Sequence, residues 1–265
     1  MALPVKLGVL RGLVREISVS AESGKPIVVG GARELAAVLR RELGRGAKPG
    51  AVRADAEPKG GAVYIHVLGG APTGDEEGAL KRARRARVPI IAIATGPLPD
   101  DLSLPYVLAT DVIRLEAGQG FPLEAIAGVI AARLGEEGAP LAGRVPLLRR
   151  AVCERLVASF AKRNGIIAAS VFLPGVDLPV LAVNEIRLVL RLEQAYGLAV
   201  DPRERLPEIA ATLGAGFGLR AIARELLDLV PVAGWAVKGA VAYAGTRAIG
   251  EATLRRLEVG APGDH

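Results

Sequence analysis

Short apolar runs alternate with segments of helical period in the first half of the chain. Apolar runs rich in Val and Ile are typical of strands buried on both faces. Such runs lie at 26–30, 62–68, 88–95 and 112–115. Helical patterns lie at 5–17, 33–43, 73–87 and 122–134, and the third opens with a capping box of Thr73 and Glu76. This alternation predicts an α/β fold with a mostly parallel sheet and helices on both sides.

The segment 135–143 predicts a domain boundary, because Gly, Pro and acidic residues replace any periodic pattern there. After it, every segment has a helical pattern. The first of these, 145–163, is expected to end at Asn164–Gly165, a typical C-terminal stop. The predicted organisation is an N-terminal helix and connector at 1–25, an α/β domain at 26–143 and an all-α helical-hairpin domain at 144–265.

Two apolar runs of near-membrane length, 164–192 and 226–250, dominate the helical part. The first is interrupted by residues that break helices: Pro174, Gly175, Asp177 and Pro179. This interruption predicts a helix–turn–helix unit that folds back on itself. The second run carries Lys238 near its middle, where a charge costs about 2.5–3.5 kcal/mol in a bilayer, so a simple membrane span is disfavoured.

The sequence leaves two arrangements of these runs open. They form either a soluble or peripheral helical bundle, or re-entrant hairpins inserted into a bilayer with their ends on the cytoplasmic side. A polar stripe in the first run favours the bundle, since it makes that helix amphipathic: Asn184, Arg187, Arg191 and Gln194, opposite Val183, Ile186, Val189 and Leu190. A small-residue stripe in the second run would let another helix approach closely in either arrangement: Ala236, Ala240, Ala244 and Ala248.

The composition narrows the class of protein. Hydrophobic residues make up 51% of the chain and the mean hydropathy is +0.34, yet aromatic residues make up only 3%, so the core depends on close backbone approach. A single cysteine, Cys153, excludes an intrachain disulfide and is typical of a reducing compartment. Residues 1–18 show no signal-peptide pattern, because Lys6, Arg11 and Arg15 are spread through a helical pattern without an uninterrupted apolar stretch, so we expect a cytoplasmic protein.

The net charge of +6 suggests an anionic partner, and the densest basic run lies at 81–87. This run predicts either a solvated helix face or contact with anionic lipid or a partner protein. Nucleic acid is not expected as a partner, because no aromatic residues alternate with the charges to stack on bases.

The strand and helix order of 26–134 resembles a small GTPase domain of the Era-like type, but its nucleotide motifs are missing. The phosphate-loop position is occupied by Gly30 and Gly31, without the Lys and Ser/Thr that hold phosphate and magnesium, and Glu34 follows. The metal-associated Asp is absent from 68–72 (LGGAP), and the base-reading motif is absent from 94–97 (ATGP). We therefore expect no cofactor and no catalysis, and we interpret Gly30 and Gly31 as a tight strand–helix turn at a vestigial phosphate-loop position.

The remaining reactive side chains lack partners at ligand spacing. His66 lies within a predicted buried strand and His265 is the last residue, so neither belongs to a metal-binding pattern. We expect His66 to be a hydrogen-bonded core histidine and Cys153 to be a buried thiol.

From about 148 to 258 the chain resembles domain-of-unknown-function family 697, the YcjF-like group. The motifs that carry the resemblance are, in order, Lys162–Gly165, Leu173–Asp177, Gln194–Gly197, Leu229–Gly234 and Thr246–Gly250. In that family the domain often follows an Era-like GTPase domain, and its members are often membrane-associated. The resemblance implies no catalytic residues and no known substrate.

Together these features predict a non-catalytic adaptor that associates with the inner face of the cell membrane or with itself. A nucleotide-responsive regulator and a soluble helical interaction module are the alternatives. The partner is expected to be an anionic membrane surface or a protein, including a second copy. The residues expected to make membrane or partner contact are Pro174, Gly175, Asp177, Arg187, Arg191, Pro231, Trp235 and Lys238.

Overall fold

The computed structural model of the chain describes residues 7–22, 24–55, 57–95, 104–116, 118–170, 178–198 and 234–260. These residues divide into two compact units. The α/β unit is continuous in sequence and covers 24–152. The helical unit is discontinuous, because it combines 7–22 with the described residues from 153 to 260.

A five-stranded sheet forms the centre of the α/β unit. Its strands are β1 (Ile27–Gly31), β2 (Val52–Ala54), β3 (Val63–Leu68), β4 (Ile90–Thr95) and β5 (Val112–Leu115). They lie in the order β2-β1-β3-β4-β5 and all neighbouring pairs are parallel, which confirms the predicted parallel sheet. This order is that of flavodoxin-type doubly wound sheets.

The sheet core comes from strands that are apolar on both faces. All six residues of β3 are buried, as are the first five of β4, so both faces of the central strands are covered. The helices of the unit are α2 (Arg33–Leu43), α3 (Gly74–Arg85), α4 (Leu123–Leu134) and the short α5 (Gly138–Ala142). The connection from β1 to β2 contains α2, the connection from β3 to β4 contains α3, and the two run in opposite directions across the sheet. Right-handed crossovers therefore place α2 and α3 on opposite faces.

Local signals determine where α3 begins. The Thr73 side chain accepts a hydrogen bond from the Glu76 amide, and the Glu76 carboxylate accepts one from the Thr73 amide. This is the capping box predicted from the sequence. The segment 135–143 is itself helical, with a 3-10 turn at Gly135–Glu137 followed by α5.

The helical unit consists of α1 (Leu7–Glu22), α6 (Arg149–Ser170, from residue 153), α7 (Leu178–Ala195) and α8 (Gly234–Gly260). The predicted stop at Asn164–Gly165 is wrong, because α6 continues to Ser170. Both residues have tertiary roles that override the local stop signal. Asn164 is buried and hydrogen-bonded, and Gly165 allows close approach of α8. In the part of the chain described above, no helix is long and apolar enough to span a membrane.

The sequence predicted that α7 is amphipathic. In the structure, other helices cover its polar stripe as well as its apolar side. The Arg187 and Arg191 side chains pair with Glu16 of α1, and the Gln194 amide donates to the Ile17 carbonyl at 2.9 Å. The polar stripe therefore forms an interhelical contact. Of the predicted break in the first apolar run, Pro174, Gly175 and Asp177 lie outside the described residues.

Candidate functional site

Parallel doubly wound domains bind ligands at the carboxyl ends of their strands, where the strand order reverses. In this chain that position lies between β1 and β3. The β1–α2 turn forms one side of it, and the 69–73 loop before α3 forms the other. Gly30 and Gly31, the vestigial phosphate-loop position, are the last two residues of β1.

The β1–α2 turn leaves no space for a phosphate group at its first amide. Ala32 is the only residue between strand and helix, and its amide donates to the Val67 carbonyl at 2.8 Å. Gly31 has φ +95°, and a Cβ there would lie 2.1 Å from the Val67 oxygen. A phosphate loop needs several free amides that point toward the anion. Here the β1 end packs directly against the β3 backbone.

Gly30 is also enclosed by its neighbours. A Cβ at this position would lie 2.5 Å from the Tyr64 hydroxyl and 3.0 Å from the Asp55 carbonyl oxygen. Asp55 follows β2, the edge strand that the sequence pattern did not reveal. Its carboxylate accepts a hydrogen bond from the Glu57 amide at 2.9 Å and lies 3.8 Å from the Arg53 guanidinium. The Asp55 carboxylate therefore has its own partners.

The two other nucleotide landmarks contain no acidic side chain in the described residues. The 69–73 loop after β3 leads into the Thr73 cap. Thr95 ends β4, and its hydroxyl donates to the Leu68 carbonyl at 2.8 Å, which ties the two strand ends together. Residues 96 and 97 of the expected base-reading position lie outside the described residues.

A line of polar side chains lies beneath α3 at the same end of the sheet. The Tyr64 hydroxyl is 3.0 Å from His66 Nδ1, and His66 Nε2 is 3.7 Å from the Glu76 carboxylate. His66 is only 1% exposed, which confirms its predicted burial. The sequence did not predict this line, because the spacing of Tyr64 and His66 on one face of a strand becomes informative only once α3 is known to bring Glu76 over it.

Burial controls the protonation of this line. Desolvation raises the pKa of Tyr64 to about 12 and lowers the pKa of His66, with the neighbouring Glu76 carboxylate opposing the second shift. A protonated phenol that donates to Nδ1 places the ring proton of His66 on Nε2, facing Glu76. The line therefore holds a neutral phenol and a neutral imidazole at the contact between α3 and the sheet, without a hydrogen bond from His66 Nε2 to Glu76.

The described residues contain no cluster of three or more His, Cys, Asp or Glu side chains that could hold a metal ion. Cys153 is a buried thiol, as expected.

In the helical unit, the described contact candidates lie on two helices. Arg191 is buried and Arg187 half-buried in α7, both beside Glu16. Lys238 is half-buried in α8, and Trp235 lies in the first turn of that helix. Pro231 lies outside the described residues.

A buried hydrogen-bond network joins α6, α7 and α8. Asn164 donates to the Thr246 hydroxyl at 2.9 Å and accepts from Asn184 at 2.8 Å. Thr246 in turn donates to the Glu185 carboxylate at 3.2 Å. Sequence reasoning placed Asn164 at a helix end and Asn184 on a polar face, so neither was expected in this network. Such networks select one helix register, since any shift leaves buried polar groups unpaired.

Comparison of the chain with family models, curated proteins and solved structures found no match.

Proposed function

We propose that the chain is a non-catalytic adaptor that associates, through its helical unit, with an anionic membrane surface or with a second copy of itself. In this proposal the α/β unit is a GTPase-like domain that has lost its nucleotide motifs. The observation that carries it is the β1–α2 turn, where the Ala32 amide is bonded to Val67 and Gly31 packs against the β3 backbone. With the Ala32 amide occupied, and without a phosphate Lys or a magnesium ligand, phosphoryl transfer loses its main electrostatic stabilisation.

The surface of the helical unit supports the association part of the proposal. The four alanines of the small-residue stripe on α8 are exposed, while the opposite side of that helix packs against α6 and α7. Large apolar side chains are exposed on the same unit: Ile166, Val180, Val237, Tyr243 and Val259. Exposed apolar side chains beside a smooth alanine face suit contact with lipid or with another helix.

Nucleotide titration tests the α/β part. Isothermal titration calorimetry of the full chain with GTP and with ATP, each with and without magnesium, is expected to show no magnesium-dependent binding. Magnesium-dependent binding in the micromolar range would instead favour a nucleotide-responsive regulator related to Era-like GTPases.

Association is tested on the full chain by co-sedimentation with phosphatidylglycerol vesicles and by analytical ultracentrifugation. We expect vesicle binding or a dimer, and we expect Ala240→Glu/Ala244→Glu to abolish it by placing two charges on the exposed stripe. The control, Ala125→Glu/Ala132→Glu, adds the same charge to exposed positions of α4 and should leave association intact. A chain that stays monomeric and does not bind vesicles would exclude the adaptor as proposed. The remaining alternative would be a soluble helical module that interacts with other proteins.

A further inference from the structure

A basic cleft opens at the amino-terminal edge of the sheet, opposite the edge where doubly wound domains usually bind ligands. It lies beside the start of β4 and the residues that precede β5, and its volume is about 650 Å³. Four arginines line it, together with a tyrosine, an acidic residue and apolar groups that include one leucine: Arg84, Arg85, Arg87, Arg133, Tyr106, Asp111 and Leu108. A cleft of this size accommodates a small ligand rather than a polymer.

The backbone around the cleft is held in an uncommon conformation. Among the described residues, Arg87 (φ 56°) and Tyr106 (φ 69°) are the two non-glycine residues with positive φ, and both line this cleft. At Arg87 this conformation ends α3, since the Val88 amide donates to the Ala83 carbonyl at 3.0 Å, and at Tyr106 it belongs to the turn in which the Val107 amide donates to the Leu104 carbonyl. The two turns bring Arg87 and Tyr106 to the cleft. Tyr106 and Leu108 remain 50% and 57% exposed, so their apolar surfaces are open to a ligand.

The charge of the cleft is unbalanced. Arg133 is occupied, because its Nε donates to the buried Asp111 carboxylate at 2.6 Å and its second nitrogen donates to Thr110. Arg84, Arg85 and Arg87 are exposed, and none of the described carboxylates lies within ion-pair distance of them. The four arginines and Asp111 together carry a charge of +3. The carboxyl ends of α3 and α4 contribute about −0.5 charge each, so the cleft keeps a net charge of about +2.

We propose that this cleft binds the phosphate of a phosphomonoester, with Arg84, Arg85 and Arg87 contacting the phosphate oxygens. The charge of the cleft matches the −1.5 to −2 charge of a phosphomonoester near neutral pH. Guanidinium groups also match the geometry of phosphate oxygens through paired hydrogen bonds. The Tyr106 ring and the Leu108 side chain contact the uncharged part of the ligand.

The same chemistry is offered by a free phosphorylated small molecule and by a phosphomonoester lipid headgroup. The basic run at 81–87 is the sequence signal for this site, but only part of the run reaches it. Arg82 instead lies 3.7 Å from Glu57, and Ala83 is buried in the core. The cleft lies wholly within the α/β unit, so phosphate binding there is independent of the role proposed for the helical unit.

Calorimetric titration of the full chain with glycerol phosphate tests the site. We expect saturable binding that weakens about tenfold or more in Arg84→Gln/Arg85→Gln, since each charged hydrogen bond is worth roughly a factor of ten. The matched control is Arg40→Gln/Arg41→Gln, which removes two exposed arginines from the last turn of α2. It should bind like the wild type. Absence of saturable binding by the wild type, or equal weakening in both variants, would overturn the proposal.

Vesicles distinguish the two sources of phosphate. Co-sedimentation with phosphatidylcholine vesicles that contain phosphatidic acid is measured in the Ala240→Glu/Ala244→Glu background, so that the helical unit does not contribute. Binding that is lost on adding Arg84→Gln/Arg85→Gln and kept on adding the α2 control assigns the site to a lipid headgroup. Saturable glycerol phosphate binding without a variant-dependent change in co-sedimentation assigns it to a free small molecule. Circular dichroism and thermal midpoints that match the wild type show that both variants are folded.

Discussion

Gly165 of α6 and Gly239 of α8 lie against each other where the two helices cross. A Cβ on Gly165 would lie 3.1 Å from the Gly239 carbonyl oxygen, and a Cβ on Gly239 would lie 3.0 Å from the Gly165 carbonyl oxygen. Because neither residue has a side chain, the two backbones can approach closely. This approach also positions Thr246 of α8 to bond with Asn164 of α6, so close packing and the polar network depend on the same crossing.

Gly239→Leu is expected to destabilise the protein by about 1–3 kcal/mol, because the new side chain forces α6 and α8 apart. Gly245→Leu is the control, since a Cβ there meets nothing within 4 Å. Leucine is a better helix former than glycine, so the control should be stabilised by about 0.5–1 kcal/mol. Urea unfolding followed by circular dichroism measures both variants. Equal effects would mean that the helices do not cross here.

Gly31→Ala is expected to cost more than about 4 kcal/mol or to prevent folding. The new methyl group would lie 2.1 Å from the Val67 carbonyl oxygen, on a backbone with φ +95°. Gly50→Ala separates the steric clash from the strain of positive φ, because Gly50 also has positive φ (+74°) but has open space around it. The control should lose only the conformational term of about 1–2 kcal/mol. Unfolding free energies test this, and similar losses in the two variants would contradict the tight β1–α2 turn.

The raised pKa of Tyr64 predicts a loss of stability at alkaline pH. Since the folded protein holds the phenol proton more tightly than the unfolded chain, this contribution is fully present below about pH 10. It is lost as the pH rises toward about 12, the pKa of Tyr64. Two pKa units correspond to about 2.7 kcal/mol at most.

Tyr64→Phe should remove this alkaline slope, and it should cost about 1–3 kcal/mol at neutral pH by leaving His66 Nδ1 without its partner. Tyr106→Phe, at a half-exposed tyrosine, should keep the slope. Urea unfolding at a series of pH values, together with tyrosinate absorbance, gives the comparison. A slope that survives in Tyr64→Phe would show that another group is responsible.

Thr246→Val preserves side-chain shape but removes the hydroxyl that accepts from Asn164 and donates to Glu185. We expect a loss of about 1–3 kcal/mol, because buried polar groups lose a partner. Thr253→Val is a matched control on the same helix, where the hydroxyl donates only to the Ile249 carbonyl of the preceding turn. That local bond is expected to contribute less than about 1 kcal/mol. Chemical denaturation of both variants decides whether the network stabilises the unit.

The sequence predicted the elements whose pattern is determined by burial. Strands β1, β3 and β4 are continuous apolar runs, and the Thr73–Glu76 capping box marks the start of α3. It did not reveal β2, because this edge strand has only three residues, none of them buried. A short strand of this kind is specified by its pairing with β1 rather than by its own periodicity.

The candidate sites were less predictable because they join distant positions. The local sequence at Asn164 and Gly165 predicts a helix end, yet packing against α8 determines their conformation. The basic run was visible, but its contribution to a cleft depends on Tyr106 and Arg133, which the fold brings to it from later segments. Local sequence patterns therefore predicted the strands and helices of the α/β unit better than they predicted any binding surface.

The discontinuity of the helical unit has a consequence for synthesis on the ribosome. Glu16 and Ile17 of α1 bind Arg187 and Gln194 of α7, across separations of 171 and 177 residues. At typical elongation rates of about 5–20 residues per second, α1 emerges roughly 10–30 s before α7. The continuous α/β unit can fold during this delay, while the apolar side of α1 is still without its final contacts. A chaperone, a membrane surface or a neighbouring nascent chain would therefore encounter α1 first.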